Sequence, residues 1–180
     1  MTGDIDQRIS VSTGLPTKEA LLETIRSKPI RRTTDLLVPS SCNQNCTHCH
    51  FVEDGSQGFL RPSQQLAQEI RQRIDFLRSQ EPQGGINVYP REITVFPEVL
   101  QIRQELGRKM IYTNAALVDE ECAKELVGLG VRSAQVSLHG DEQHHRDLTG
   151  VDSRTYKNTL AGIEHLRNSG IIVNILTALY

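Results

Sequence analysis

From Leu36 onward, apolar residues fall alternately into short runs and one-sided stripes. Leu36-Leu37-Val38, bounded by Asp35 and Pro39, reads as a buried first strand. After Pro62-Ser63, the residues Leu66, Ile70, Ile74 and Leu77 recur at steps of four, four and three, which predicts a helix with a single packing face. Pro82 and Gly84-Gly85 end it, and Ile86-Asn87-Val88-Tyr89 predicts the next strand. A shorter helix from about Pro97 to Leu106 leads to a third strand at Lys109-Met110-Ile111-Tyr112. A helix near Val118 to Leu129, a strand at Ser133 to Leu138, a helix near Tyr156 to Asn168 closed by Gly170, and a strand at Ile171 to Leu176 complete the order.

Strand and helix alternate throughout, which implies an α/β fold of about five parallel strands joined by right-handed crossovers. Upstream, Thr17 caps a short amphipathic helix that Pro29 ends, with Ala20, Leu21, Leu22 and Ile25 on its apolar face. It reads as a packing lid, and the polar residues before it as disordered or draped. The expected organisation is an N-terminal extension, residues 1–34, followed by one domain, residues 35–180. A chain of 180 residues holds one sizeable core but not two comfortable ones.

An open doubly wound sheet and part of a (β/α) barrel both fit this alternation. The residues at the strand ends decide between them. No G-x-G-x-x-G follows the first strand; Cys42, Cys46 and Cys49, spaced C-x3-C-x2-C, stand there instead. Functional groups in parallel α/β folds collect at the carboxyl ends of strands. The next three predicted ends carry Pro90-Arg91-Glu92, Thr113-Asn114, and Ser137 with His139.

Thiolates are the soft ligands that iron–sulfur clusters need, and a [4Fe–4S] cube held by three cysteines keeps one iron open to another ligand. Zinc is the alternative, but a structural zinc site takes four ligands, commonly in two separated pairs, and no second C-x2-C follows. The remaining cysteine, Cys122, lies among Ala123, Leu126 and Val127 and reads as a small buried hydrophobe. Three clustered cysteines and a lone one do not make a disulfide framework, which suits a reducing cytoplasm. With a formal net charge of −2 nothing argues for a nucleic-acid groove, although Arg31-Arg32 could form a local patch. No apolar run approaches the roughly 20 residues that cross a bilayer, and no secretory signal opens the chain, so a soluble protein is expected. His50 follows the cysteines and could tune a cluster, though it reads equally as a loop residue. His144 and His145 are adjacent, cannot share one helical face, and are not read as a paired metal site.

These motifs together resemble the radical S-adenosylmethionine (radical SAM) superfamily. C-x3-C-x2-C after the first strand is that family's hallmark, with His48 at the place of an aromatic residue before the last cysteine. Tyr89-Pro90-Arg91-Glu92 is similar to the family's Gly-Gly-Glu-Pro in its glutamate alone. Thr113-Asn114-Ala115 resembles Thr-Asn-Gly, and Val136-Ser137-Leu138-His139-Gly140 resembles Val-Ser-Leu-Asp-Gly. His145-Arg146-Asp147-Leu148-Thr149-Gly150 is similar to the His-Asp-x-Leu-Thr-Gly segment of the peptide-maturing and molybdenum-cofactor branches. The resemblance runs from about Asp35 to Tyr180.

It implies a partial TIM-type barrel that breaks off after the fifth strand, as a piece of a longer protein or a short form whose open edge a partner covers. It also implies that Cys42, Cys46 and Cys49 ligate a [4Fe–4S] cluster, with S-adenosylmethionine on the open iron. Glu92 would meet the amino group of SAM, Asn114 and Ser137 its ribose or carboxylate, and His139 its ribose or a transferred proton, with His48 beside the cofactor. The plain readings are a solvated loop charge for Glu92, turn residues for Asn114 and Ser137, and a surface histidine for His139. The implied partners are an electron donor such as flavodoxin or ferredoxin and a substrate that is a peptide side chain or a small metabolite. The competing function is a non-catalytic iron–sulfur or zinc module. Reaction outcome is not written in these motifs.

Overall fold

A computed structural model describes residues 33–38, 40–49, 61–80, 82 and 84–178, all in the unit Thr33–Tyr180. The helix expected from Thr17, the Arg31-Arg32 pair and His50 lie outside the described residues. The elements run β1 (Thr33–Val38), α1 (Gln64–Gln80), β2 (Gly85–Pro90), a 3₁₀ turn (Ile93–Val95), α2 (Pro97–Glu105), β3 (Met110–Thr113), α3 (Glu120–Gly128), β4 (Ser133–Ser137), α4 (Glu142–Thr149), α5 (Ser153–Asn168) and β5 (Ile172–Leu176). No helix among the described residues is long and apolar enough to cross a membrane.

Helix boundaries follow capping chemistry more closely than apolar spacing. Ser63 accepts the amide of Leu66 at 3.1 Å and starts α1, whose Leu66, Ala67, Ile70 and Ile74 form one buried stripe. Asp119, Asp141 and Asp152 each accept an amide three residues on and open α3, α4 and α5. These caps explain why α3 begins at Glu120 instead of Val118, and α5 at Ser153 instead of Tyr156. Helix α4 was not expected. Gly150, at φ 67°, ends it in the left-handed conformation that suits glycine.

All strand pairs are parallel, but they form two sheets, β1-β2 and β3-β4-β5. Among the described residues no ladder pairs β2 with β3, which leaves a seam between the two sheets. Arg103 of α2 occupies that seam: its two terminal nitrogens donate to the carbonyls of Val88 on β2 and Met110 on β3. Its guanidinium also lies 5.5 Å from the Tyr89 ring centroid. A side chain thus does what ladder hydrogen bonds do elsewhere in the sheet.

Each sheet buries one face against helices. Val38, Ile70, Val88, Phe96 and Ile102 make one core under β1-β2, and Ile111, Leu126, Ala134, Val136 and Leu166 make another under β3-β4-β5. The opposite face carries Asp35, Leu37, Tyr89, Tyr112 and Ser137, which line a cleft. β1 is therefore not wholly buried, as its apolar run suggested. Val38 is 3% exposed and its neighbour Leu37 is 51% exposed, because successive strand residues point to opposite faces.

Candidate cofactor site

The cleft, about 520 Å³ in volume, opens where the strands end. Cys42, Cys46, Cys49 and His48 reach it from the loop after β1, Glu92 from the end of β2, Asn114 from β3, and Ser137 and His139 from β4. All eight residues singled out from the sequence line it. The three cysteines are half-buried. Burial, then their mutual repulsion as anions, pushes the Cys46 thiol up to about 11, and burial also raises Cys42. Two N–H groups approach the Cys42 sulfur, the Gln44 amide at 3.4 Å and Asn114 Nδ2 at 3.8 Å. Among the described residues no three Cys, His, Asp or Glu side chains gather as ligands of one metal ion. A zinc site, with Zn–S bonds of about 2.3 Å, needs its sulfurs drawn onto a single point.

The cysteine loop is anchored on both sides. The Arg91 side chain donates to the Gln44 carbonyl at 3.3 Å, and the Arg91 amide donates to Ser40 Oγ at 3.3 Å. Across the loop, the amides of Asn45 and Thr47 donate to the carbonyls of Thr149 and Leu148 at 3.1 and 2.9 Å, so the end of α4 is its seat. That supplies a structural use for the segment His145 to Gly150.

Glu92 is 2% exposed, so it is not a solvated loop charge. Its Oε1 accepts from the Thr94 amide at 3.0 Å and from the hydroxyls of Thr94 and Thr113 at 2.8 and 2.7 Å, while Oε2 accepts from the Asn114 amide at 2.8 Å. The carboxylate clamps the end of β2 to the end of β3. Asn114 makes a turn bond and a second contact: its Oδ1 accepts from the Ala116 amide two residues on at 3.0 Å, and its Nδ2 donates to Asn43 Oδ1 at 2.8 Å.

His139 is buried, not on the surface. Its Nδ1 accepts from the Ala178 amide at 3.0 Å, which places the ring proton on Nε2. The ring meets His48 edge-on at 4.7 Å and stacks with His145 at 5.6 Å. Burial first, then the two histidines, lower its pKa to about 4, so the ring is neutral at ordinary pH. Cys122 is half-buried against the second core and away from the cleft lining.

Sequence reasoning named His145 but gave it no place in the site, and it missed the inner wall of Asp35, Tyr89 and Tyr112. The position of His145 beside His139 became visible only with helix α4, which a reading of the Asp141 and Gly150 bracket would have revealed. Part of the inner wall had a signal of its own in the period-two alternation of Ile86-Asn87-Val88-Tyr89 along β2.

The family model of the radical SAM superfamily matches residues 36–180. The chain belongs to the radical SAM superfamily. No protein of curated function matches the sequence. Among solved structures, the chain is similar to anSMEcpe with bound AdoMet and Kp18Cys peptide, at 22% identity and TM-score 0.56, covering 81% of this chain and 43% of that one. It is also similar to methylornithine synthase (PylB), at 16% identity and TM-score 0.53, covering 89% of this chain and 51% of that one. At these identities the likeness concerns the fold, an α/β arrangement of the radical SAM barrel kind. The chain spans about half the length of these proteins.

Radical SAM enzymes use a [4Fe–4S] cluster and S-adenosylmethionine. The residues present suit both. Three sulfurs on one loop border the cleft, with N–H groups directed at Cys42. On the cleft-lining His139, Nε2 is buried and has no partner among the described residues, a donor in want of an acceptor.

Proposed function

We propose that this chain supplies the cofactor-binding part of a radical SAM enzyme, in which Cys42, Cys46 and Cys49 hold the cluster and the cleft beside them takes S-adenosylmethionine. The observation that carries this reading is the convergence of the three thiols and four successive strand ends on one cleft. Bound there, the cluster and S-adenosylmethionine would supply radical chemistry for hydrogen abstraction from the substrate, given one electron from a donor such as flavodoxin or ferredoxin.

The chain's own residues divide the remaining work. Ser137 and His139 Nε2 offer hydrogen-bond donors suited to the ribose or carboxylate of SAM, and His48 borders the same space. Glu92 has acceptor capacity left on Oε2 for the SAM ammonium while it clamps the strand ends. Asn114, committed to Asn43 and close to the Cys42 sulfur, supports the cluster side of the pocket and presents its edge to SAM. Arg91 and the end of α4 hold the loop in place. Asp35, Leu37, Tyr89 and Tyr112 form the wall that faces the substrate, a peptide side chain or small metabolite. The three unpaired thiols and the oxygen-sensitive cluster suit the cytoplasm.

Anaerobic reconstitution tests this. Wild type should take up four irons per chain, as a [4Fe–4S] cluster requires, and reduction in the presence of SAM should release 5′-deoxyadenosine. C46A should lose both. A loaded wild type that yields no 5′-deoxyadenosine above control rejects the catalytic reading in favour of a binding module. Unchanged iron in C46A rejects the loop as ligand.

A further inference from the structure

We propose that His145 is the positioning residue of the cysteine loop: buried in α4, it ties the end of β4 to the helix end on which that loop sits. The inference rests on reading the loop as the cluster site.

Two sets of contacts meet on α4. The last carbonyls of a helix have no partner within it, and here two of them are taken by the loop. The Thr47 amide donates to Leu148 O at 2.9 Å, Thr47 Oγ1 donates to the same oxygen at 3.2 Å, and the Asn45 amide donates to Thr149 O at 3.1 Å. The fit is close, since a Cβ at Gly150 would lie 3.3 Å from Asn45 O.

The second set belongs to His145 itself, which is 0% exposed. Its Nδ1 accepts the His139 amide at 3.2 Å. An amide only donates, so Nδ1 is bare and the imidazole is the neutral Nε2–H tautomer. Its carbonyl accepts the Thr149 hydroxyl at 2.6 Å, which pins the last turn of α4 to the same residue. The ring also sits 5.3 Å from Tyr156 of α5. One side chain therefore sets where the loop stands relative to the β4 wall of the cleft. If His145 only filled space, a phenyl ring would serve equally well.

The test uses the full chain without cluster, kept reduced and labelled with N-ethylmaleimide, with the rate at each cysteine read by mass spectrometry. Cys122 on α3, outside the cleft, is the internal reference. His145→Phe keeps the ring volume and removes the acceptor; it should speed labelling of Cys42, Cys46 and Cys49 by about tenfold and leave Cys122 unchanged. His145→Asn keeps an acceptor near the Nδ1 position and should label close to wild type. Should H145F not fold, Thr149→Val, which removes only the hydroxyl on the His145 carbonyl, should raise the same three rates alone. Loop rates equal to wild type overturn the proposal. So does an equal rise at all four cysteines, or an H145N that labels like H145F. Because no cluster is present, this result stands apart from the functional reading, which fails instead if wild type takes up no iron.

Discussion

Gly162 of α5 lies so close to the end of β3 that a Cβ there would fall 2.0 Å from the carbonyl oxygen of Ala115. Ala115 itself has φ 59°, in the left-handed region that alanine avoids, and is fully buried. Gly162→Ala must push backbone apart under the cleft and should cost at least about 3 kcal/mol, read as a urea midpoint shift. Ala115→Gly should change little. Relief of about 1–2 kcal/mol of backbone strain is offset by about 0.8 kcal/mol of lost methyl burial and by greater freedom of the unfolded chain. A large loss from A115G would mean that the left-handed turn is not strained.

The Glu92 carboxylate receives four donors, none of which can be turned away together. Glu92→Gln sets an NH₂ against at least one of them, and the two backbone amides cannot rotate to compensate. We expect a loss of about 2 kcal/mol or more, together with weaker SAM binding. Thr94→Val removes one of the four and should cost less. Equal stability of E92Q and wild type in urea titrations would contradict the clamp.

Arg103 has no carboxylate partner among the described residues, and its work is done on two carbonyls. Arg103→Met leaves both unsatisfied, at about 3 kcal/mol, and Arg103→Lys can reach only one. Hydrogen exchange should show the seam locally. Amides of β3 should lose protection in R103K before those of β5 do.

Stability should fall in mild acid. The unfolded imidazole titrates near 6.5, and folded His139 is held to about 4. Between these values the unfolded chain binds a proton that the folded chain does not. Stability is therefore full above about pH 6.5 and declines as pH drops toward 4. Burial lowers His145 too, and its contribution has the same sign. Comparing urea midpoints at pH 7.5 and 5.0 checks this. The difference between the two should shrink in His139→Phe, and an undiminished one would place the titrating group elsewhere.

The apolar periodicity of Leu66, Ile70 and Ile74 and the run at Ser133 to Leu138 were enough to place helix and strand. The order of motifs was enough to bring eight residues to one cleft. What stayed hidden depended on partners remote in the chain. Helix α4 carries hardly any apolar residues and is defined by Asp141 and Gly150, so a search for stripes passes over it. Arg103 reads as a solvent-facing helix residue, because nothing local says that β2 and β3 fail to pair. The sequence singled out Glu92 but left a solvated charge as its plain alternative, which falls only when Thr113 and Asn114, more than twenty residues on, close around it.

The seat of the cysteine loop has a consequence for how the protein is made. Thr47 and Leu148 are 101 residues apart. During synthesis at about 5–20 residues per second, the cysteines leave the ribosome several seconds before the helix end that holds them exists. For that interval three thiols are exposed on an unseated loop. On the proposed reading of this loop as the cluster site, insertion would follow the fourth strand and helix α4, and a nascent chain stalled before Leu148 should bind iron poorly even with all three cysteines already made.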